Sequence, residues 1–371
     1  MKFKANLEEF RNTAITASKM ATNGAGSTAF SGLYMNLKGG EMTFISTNRE
    51  SSIIATMKAT GDDGVLLVSA GLFTDILRKL SGEEVSFEKV EEKDNAILEI
   101  VAGKTKYDIP LLQVADFPVP KQDDWESEFT LELDMLNDLV NSTIFAAAPE
   151  GSANMAITGG QLTVNKKSVE MVALDGYRLA VKEIDSEKEN KEFSLLIPGT
   201  VLAEIARIFP VDSGDIDIFL SSRNVAFKKE NITLISSLIA ESFPDYTKAK
   251  NIEVKHTVNV PTPELKRAIE RASLMALGTD TLTPVKLEIQ GTGIKFTAST
   301  ERGTADDFID VKTDVEDFSI SFNHKFLSDA VKSISDDSVA FSFSEPNAPC
   351  SIASVEAKDE KFLYVVYPMR V

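Results

Sequence analysis

The sequence predicts an α+β protein of three similar domains, each carrying two helices packed on antiparallel strands. Two landmarks that each occur three times, and alternating apolar residues between them, carry that prediction. The first landmark is a short strand running into an amphipathic helix. It begins at Phe3-Lys4-Ala5-Asn6-Leu7, again at Phe129-Thr130-Leu131-Glu132-Leu133, and again at Thr257-Val258-Asn259-Val260-Pro261. Those starts are 126 and 128 residues apart. The second landmark leads into another helix at Val68-Ser69-Ala70, Ile197-Pro198-Gly199 and Phe322-Asn323-His324. Its internal apolar positions Phe73, Leu202 and Leu327 are spaced by 129 and 125 residues. Two landmarks with one period define a repeat, and a period this long indicates whole domains rather than solenoid units.

The apolar stripes place six helices. Leu7, Phe10, Ala14 and Ala17 share one face, as do Leu136, Leu139, Val140 and Thr143, and Leu265, Ile269, Ala272 and Ala276. That spacing is helical. The predicted spans are 7–20, 70–81, 134–147, 199–209, 263–276 and 324–335. Thr262 followed by Pro263 supplies a cap and a first helical residue. Between the helices the period changes to two. Leu33–Leu37 and Met42–Ser46 flank Gly39-Gly40, a two-residue hairpin signal. Val285, Leu287 and Ile289 alternate with polar residues, Gly291-Thr292-Gly293 turns the chain, and Ile294, Phe296 and Ala298 alternate on the return. Polar stretches near Trp125 and Asn251 put the domains at 1–127, 128–255 and 256–371.

Composition narrows the function classes. The chain has 371 residues, 43% hydrophobic and 26% charged, as in ordinary globular proteins. It has no 18-residue apolar run and no signal-peptide core after Met1, so a cytoplasmic protein away from the membrane is expected. The single cysteine, Cys350, excludes a disulfide within the chain and fits a reducing compartment. His256 and His324 are the only histidines and have no metal-ligand spacing. Gly24-Ala25-Gly26 lacks the Gly-Lys-Ser/Thr end of a phosphate-binding loop. No enzyme, metal or cofactor is expected, and Asp175 beside Arg178 reads as an ion pair or turn contact. The net charge of −18 counts against a conventional nucleic-acid-binding domain, whose affinity rests on phosphate contacts.

Several short motifs resolve that objection. Leu174-Asp175-Gly176-Tyr177-Arg178-Leu179-Ala180, Ile197-Pro198-Gly199, Ser242-Phe243-Pro244-Asp245-Tyr246 and the terminal Tyr367-Pro368-Met369-Arg370-Val371 occur in this order. Together with the repeats, they resemble the beta sliding clamp family of bacterial replicative DNA polymerases over essentially the whole chain. The resemblance implies three DNA-clamp domains per chain. Two chains would close head to tail into a homodimeric ring, with sheets outside and helices lining the hole. It implies a nucleoid-associated processivity factor that encircles duplex DNA and tethers the replicative polymerase, the clamp loader and other proteins bearing short clamp-binding peptides. A divergent or phage-type paralogue with a specialised partner set is the alternative, and an acidic adhesion module a more distant one.

The family's positions fall on particular residues. The predicted helices carry ten basic residues, Arg11, Lys19, Arg78, Lys79, Arg207, Lys266, Arg267, Arg271, Lys325 and Lys332, against nine acidic ones. The helices therefore sum to +1 while the rest of the chain carries −19, which keeps negative charge off the expected DNA-facing surface. A ring held by topology needs only weak, screened attraction. The partner-peptide pocket maps to Ile157, Leu174, Gly176, Tyr177, Arg178, Leu179, Pro244, Lys248, Pro349, Val365, Val366, Tyr367, Pro368, Met369 and Arg370. The subunit interface maps to Tyr107 and Ile109 against Leu274 and Met275. Read without the family, Leu174, Val365 and Val366 are strand core, and Ile109 and Leu274 serve their own domains. Two departures stand out. Leu174 and Tyr177 replace the family's usual threonine and frequent histidine, and the loop at 23–30 lacks the Arg and Leu-Pro that clamps often carry for DNA.

Overall fold

The computed structural model describes residues 1–22, 29–91, 96–120, 125–186, 191–209, 214–276, 283–315, 318–355 and 360–369. Seven helices occur among them: α1 (Leu7–Ala17), α2 (Ala70–Lys79), α3 (Leu133–Asn141), α4 (Gly199–Ile208), α5 (Thr247–Lys250), α6 (Thr262–Ala276) and α7 (His324–Ser333). Six match the predicted stripes. The stripe predicted over 134–147 breaks after Asn141, and a separate 3₁₀ turn follows at Ile144–Ala146. Leu139 and Thr143 are nevertheless both buried, because the turn continues the same apolar face. The short α5 carries no apolar stripe and was not predicted. None of the described helices is long and apolar enough to cross a membrane.

Among the described residues every strand pair is antiparallel, and the chain forms two compact units. The first unit is Met1–Leu133 with Ile205–Leu238. It holds a five-stranded sheet in the order Thr60–Gly61, Lys2–Asn6, Glu84–Glu91, Ala96–Ala102, Thr105–Pro110. Its eight-stranded sheet runs Ser127–Glu132, Asp215–Leu220, Asn224–Lys229, Ile232–Ser237, Ser51–Lys58, Glu41–Thr47, Gly32–Lys38, Gly64–Ser69. The hairpin at Gly39-Gly40 turns with φ of 60° and 85°, values that favour glycine at both positions. Phe10 of α1 anchors the core, with ring centroids 4.6 Å from Phe87 and 5.1 Å from Phe44.

The second unit is Asp134–Glu204 with Ile239–Val371. Its eight-stranded sheet runs Phe193–Pro198, Gly159–Val164, Ser168–Leu174, Arg178–Asp185, Glu360–Val366, Cys350–Ser354, Ser338–Phe343, His256–Pro261. A four-stranded sheet, Gly303–Asp310, Gly293–Thr300, Pro284–Gln290, Phe318–Asn323, completes it. α6 and α7 pack over a core that includes Phe296, Phe322, Phe341 and Phe343.

The units of compactness therefore differ from the sequence repeats. The middle repeat divides between them. Its strand Ile232–Ser237 zips onto Ser51–Lys58 of the first repeat, and Arg178–Asp185 zips onto Glu360–Val366 of the third. The physical reason is edge pairing: joining two four-stranded halves satisfies backbone groups that an open edge exposes.

Candidate functional site

The described peptide-pocket residues lie in the second unit, and most of them sit on or beside one hairpin. Strands Ser168–Leu174 and Arg178–Asp185 are joined by a tight turn. Asp175 Oδ1 accepts from the backbone N–H of Tyr177 (2.9 Å) and of Arg178 (3.0 Å), an Asx turn that Asp is suited to make. Gly176 sits at φ 90°, where a side chain would be strained. Tyr177 is thereby thrust outward and is 66% exposed. Its ring stacks on Phe326 of α7 at 6.5 Å. The C-terminal strand pairs alongside, with Arg178 opposite Val366 and Leu179 opposite Val365. Beyond it, the Tyr367 N–H donates to the Tyr177 carbonyl (2.9 Å) and the Met369 N–H to the Ser321 carbonyl (2.7 Å).

Two kinds of surface result. Leu179 and Val365 are buried with Val172 and Val181 in a small cluster. Leu174, Phe243, Tyr246, Ala249, Ile252 and Leu363 pack half-buried against it. Pro244 and Lys248 belong to the segment that contributes Phe243, Tyr246 and Ala249, with Pro244 half-buried and Lys248 exposed. Glu170 pins that segment to the sheet. Its carboxylate accepts from Tyr246 Oη and from Lys250 Nζ, both at 2.7 Å. Burial and the bond to Glu170 push the Tyr246 phenol up, so it stays a donor throughout the ordinary pH range. Val366 is buried, Tyr367 exposed, and Pro368 and Met369 half-buried. Pro349 is half-buried and precedes Cys350, which pairs with Val366. Ile157 ends the 3₁₀ turn Met155–Ile157 and is not part of the cluster around Leu179. Arg370 lies outside the described residues.

Arg178, expected from the sequence both as a pocket position and as an ion-pair or turn partner of Asp175, forms that ion pair and turn. It is only 7% exposed, and its guanidinium is committed on several sides. Nε meets Asp175 at 3.0 Å, one terminal nitrogen meets Asp329 of α7 at 2.9 Å, and the other donates to the Phe145 carbonyl at 2.6 Å. The Phe326 ring lies 4.4 Å from its carbon centre, within cation–π range. Burial acts to lower its pKa, but the bond to Asp329 and the negative charges of Asp175 and Asp329 outweigh burial and raise it. Arg178 thus acts as a strut behind the exposed Tyr177. Sequence reasoning missed Phe326, Asp329 and Phe145 as its partners. All three are distant in the chain, and only Asp329 carried a local signal, as an acid on a basic helix.

The basic helix residues divide into structural and exposed groups. Arg11 donates to the Leu77 and Leu80 carbonyls at the end of α2 (2.8 and 2.7 Å). Lys266 donates in the same way to the Ile334 carbonyl just past α7 (2.6 Å). Both satisfy helix-terminal carbonyls. Arg78 pairs with Asp75, Arg271 with Asp307, and Lys19 donates to the Arg207 carbonyl. Lys79, Arg207, Arg267, Lys325 and Lys332 are exposed. Most of the loop at 23–30, where a DNA contact was not expected, lies outside the described residues.

The predicted interface residues sit on two sheet edges or beside them. Tyr107 is 37% exposed on the edge strand Thr105–Pro110, whereas Ile109 is 4% exposed and packs into its own unit. Leu274 is 58% exposed and Met275 half-buried on α6, which packs on the edge strand Gly303–Asp310. Among the described residues, no group of three or more His, Cys, Asp or Glu side chains could hold a metal ion.

Comparison with known proteins decides the family. Residues 1–121, 130–245 and 251–370 match, in order, family models for the N-terminal, central and C-terminal domains of the DNA polymerase III beta subunit. The chain belongs to the DNA polymerase III beta subunit family. A protein named beta sliding clamp from Streptococcus pneumoniae serotype 4 is 27% identical over 340 residues, 89% of this chain and 88% of its own. One of the same name from Staphylococcus aureus (strain Mu50) is 29% identical over 327 residues, 84% of each chain. The fold is that of solved beta subunits. The S. pneumoniae beta chain superposes with a TM-score of 0.90 at 24% identity, and the Bacillus subtilis sliding clamp with 0.89 at 23%. These cover all of this chain and 100% and 99% of theirs. A Pseudomonas aeruginosa sliding clamp solved bound to griselimycin superposes with a TM-score of 0.87 at 22% identity.

Proposed function

We propose that two copies of this chain close head to tail into a ring that encircles duplex DNA and slides on it, tethering its partners without catalysing a reaction. Membership in the beta sliding clamp family makes the chain a DNA sliding clamp for polymerase processivity. The ring reading rests on one topological observation. Each eight-stranded sheet joins two four-stranded halves from neighbouring repeats, at Ile232–Ser237 with Ser51–Lys58 and at Glu360–Val366 with Arg178–Asp185. One half-sheet of the first repeat and one of the last remain unjoined. In the first, Thr105–Pro110 holds the place of Ile232–Ser237 and Glu360–Val366. In the last, Gly303–Asp310 holds the place of Ser51–Lys58 and Arg178–Asp185. A second copy supplies the missing partner to each edge, so the contact is heterologous and closes on itself after two chains.

In this reading Tyr107 and Leu274 meet across the subunit contact with Met275, while Ile109 contributes through its backbone. The domains are 1–127, 128–255 and 256–371. Lys79, Arg207, Arg267, Lys325 and Lys332 face the phosphates, with Lys19, Arg78 and Arg271 beside their partners. Arg11 and Lys266 hold helix ends. Weak attraction suffices because closure retains the DNA. Polymerase, clamp loader and other partners dock short peptides beside the exposed Tyr177 and Tyr367, with apolar anchors against Leu174, Leu179, Pro244 and Val365. An exposed aromatic over a buried apolar floor suits a hydrophobic anchor. The site of action is the nucleoid within the cytoplasm.

The test is topological. The loaded protein should stay on circular duplex through gel filtration and leave the same DNA after linearisation. Equal loss from both forms would overturn the ring.

A further inference from the structure

Among the described strands, Thr105–Pro110 ends a sheet of the first unit and Gly303–Asp310 ends a sheet of the second. The two joints already made within the chain show how such strands meet. Thr105–Pro110 returns from the turn Gly103-Lys104 with Thr105 opposite Ala102. Ile232–Ser237 returns from the turn Glu230-Asn231 with Ile232 opposite Lys229. Thr105 therefore holds the place of Ile232, and Pro110 that of Ser237. On the other edge, Ala305 lies opposite Ala298, as Ala180 lies opposite Ala173 and Ile53 opposite Ser46. Ala305 therefore holds the place of Ala180 and of Ile53.

Both internal joints use one register, with Ile53 facing Leu234 and Ala180 facing Tyr364. Carried to the free edges, it sets Ala305 of one copy opposite Tyr107 of the other, Gly303 opposite Ile109 and Asp306 opposite Lys106. A tyrosine then faces an alanine, as Tyr364 faces Ala180. Tyr364 is fully buried, its ring 5.7 Å from Phe145 and its hydroxyl donating to the Phe326 carbonyl at 2.8 Å. The residue matching Phe326 is Leu72, since Phe73 matches Leu327. Leu274 lies as far along α6 from Thr262 as Phe145 lies from Leu133. Leu72, Tyr107 and Leu274 are 47%, 37% and 58% exposed in the single chain, and the joint gives all three apolar neighbours.

On the outer face the same register aligns charge. Lys106 meets Glu99 at 2.5 Å in one sheet, and Lys295 meets Asp306 at 2.9 Å in the other. Joined, Glu99, Lys106, Asp306 and Lys295 form a row of alternating sign. Asp108, 3.6 Å from Lys106, stands opposite the uncharged Thr304. A slip of two residues in one direction brings Asp108 onto Asp306, and like charges directly opposite destabilise a sheet. The reverse slip carries Ile109 past the strand end to Glu301. Two backbone details fit the frame. The Phe308 N–H matches the Thr56 N–H that donates to the Asn231 carbonyl, and in the single chain Asp307 Oδ1 holds it at 2.9 Å. Pro110 lacks the N–H that Ser237 and Tyr367 donate to the hairpin tips, so pairing between copies begins at Ile109.

We propose that a second copy of this chain is selected by one register of these edges, with Tyr107 opposite Ala305 and Lys106 paired with Asp306. The Lys106–Asp306 pair is the specificity element, because it discriminates against the slipped register and against edges of the wrong charge. Tyr107 is the anchor, seated between Leu72 of its own copy and Leu274 of the other. The proposal rests on the reading of the protein as a ring of two chains. Each such ring repeats the joint twice, so a charge reversal at one position places like charges at both joints. Two complementary reversals fit only each other.

The experiment follows full-length Lys106→Glu and Asp306→Lys variants by light scattering. Each alone should dissociate where the wild type stays paired, with the dimer dissociation constant raised at least about tenfold. Mixed in equal amounts, they should restore a particle of twice the chain mass. One joint then keeps both native residues, and the other carries both replacements. The chain with both substitutions should pair with itself for the same reason. The differences should shrink in about 1 M salt, where the screening length is about 3 Å. A dimeric wild type indifferent to either reversal, or a mixture that does not recover, overturns the register and leaves the ring standing. A wild type monomeric at every concentration overturns both. Circular dichroism checks that each variant folds. If one does not, cysteine pairs decide. Asp108→Cys with Thr304→Cys places two exposed positions directly opposite, about 5.5 Å apart between Cα atoms, within disulfide reach. Oxidation should give a covalent dimer, and far faster than for Asp108→Cys with Asp306→Cys. No crosslink, or equal or reversed rates, overturns the register.

Discussion

Arg178 and Asp329 are 151 residues apart in the chain and 2.9 Å apart in space. Their ion pair ties the turn that projects Tyr177 to helix α7. It is largely shielded, with side-chain exposures of 7% and 21%. A shielded pair loses more when one partner is removed than the intact pair contributes, because the remaining charge stays buried. Asp329→Asn should destabilise the second unit by about 1–3 kcal/mol, less than a full buried charge because Asp175 still faces Arg178. Urea unfolding followed by far-UV circular dichroism measures this. Trp125 emission follows the first unit and serves as the internal control. A change under about 0.5 kcal/mol would mean the pair is effectively solvated.

Tyr177 can be separated from that strut. Its ring is outward, and its carbonyl, not its side chain, accepts the hydrogen bond from the Tyr367 N–H. Tyr177→Ala should leave the unfolding midpoint nearly unchanged and weaken clamp-binding peptides by about 2 kcal/mol, the scale of an interface anchor. Removing residues 367–371 should do the same without affecting self-association. Leu174→Thr with Tyr177→His should reorder a peptide panel rather than weaken every member equally. Fluorescence polarisation decides each case, and full affinity in the truncated chain would move the site elsewhere.

Self-association should give a particle of about 81 kDa, twice the 40.5 kDa chain. Leu274 is exposed in the single chain, so Leu274→Asp should cost little in folding yet leave a charge at the contact. Light scattering of that variant should show monomer at concentrations where the wild type is dimeric. A wild-type protein that stays monomeric at every concentration would rule out the closed ring.

Duplex binding without a loader should be weak, salt-sensitive and independent of sequence. Replacing Lys325 and Lys332 with Ala should reduce the salt dependence of binding, since each lost phosphate contact removes about 0.9 from the slope against log salt. Arg11→Ala should behave differently and lower stability, because that side chain caps the carbonyls of α2. A stability loss for the lysine variants and none for Arg11→Ala would reverse these assignments.

The segment over Leu179 has an acid-sensitive point. The hydroxyl and backbone N–H of Thr247 hold the Asp245 carboxyl below its ordinary value of 3.8. A depressed folded value means the contribution is complete above the unfolded pKa and fades as pH falls through the folded one. A carboxyl-carbon titration should find the Asp245 midpoint below that of an ordinary aspartate. Thr247→Ala should move it back up, though not fully, since the backbone N–H remains. An unchanged midpoint would show that the side-chain bond is not formed in solution.

The sequence by itself determined the elements and their repetition. Helical stripes such as Leu7, Phe10, Ala14 and Ala17, and hairpins such as Gly39-Gly40, are local patterns whose periods follow from backbone geometry. It also determined the family, because Asp175-Gly176-Tyr177-Arg178 and the terminal residues keep their order and spacing. Only the tertiary structure decided which strands join. Nothing local to Ile232–Ser237 says that it pairs with Ser51–Lys58 some 180 residues earlier, since any exposed edge offers the same backbone donors and acceptors. Side-chain roles were decided at the same level. Arg11 and Lys266 look in sequence like cations for a ligand, and each instead donates to carbonyls brought near by the fold, while the Arg178–Asp175 pair that the sequence did suggest gains Asp329 and the Phe145 carbonyl. Tyr177 stays outward because a two-bond Asx turn and a glycine at positive φ leave its side chain no inward path.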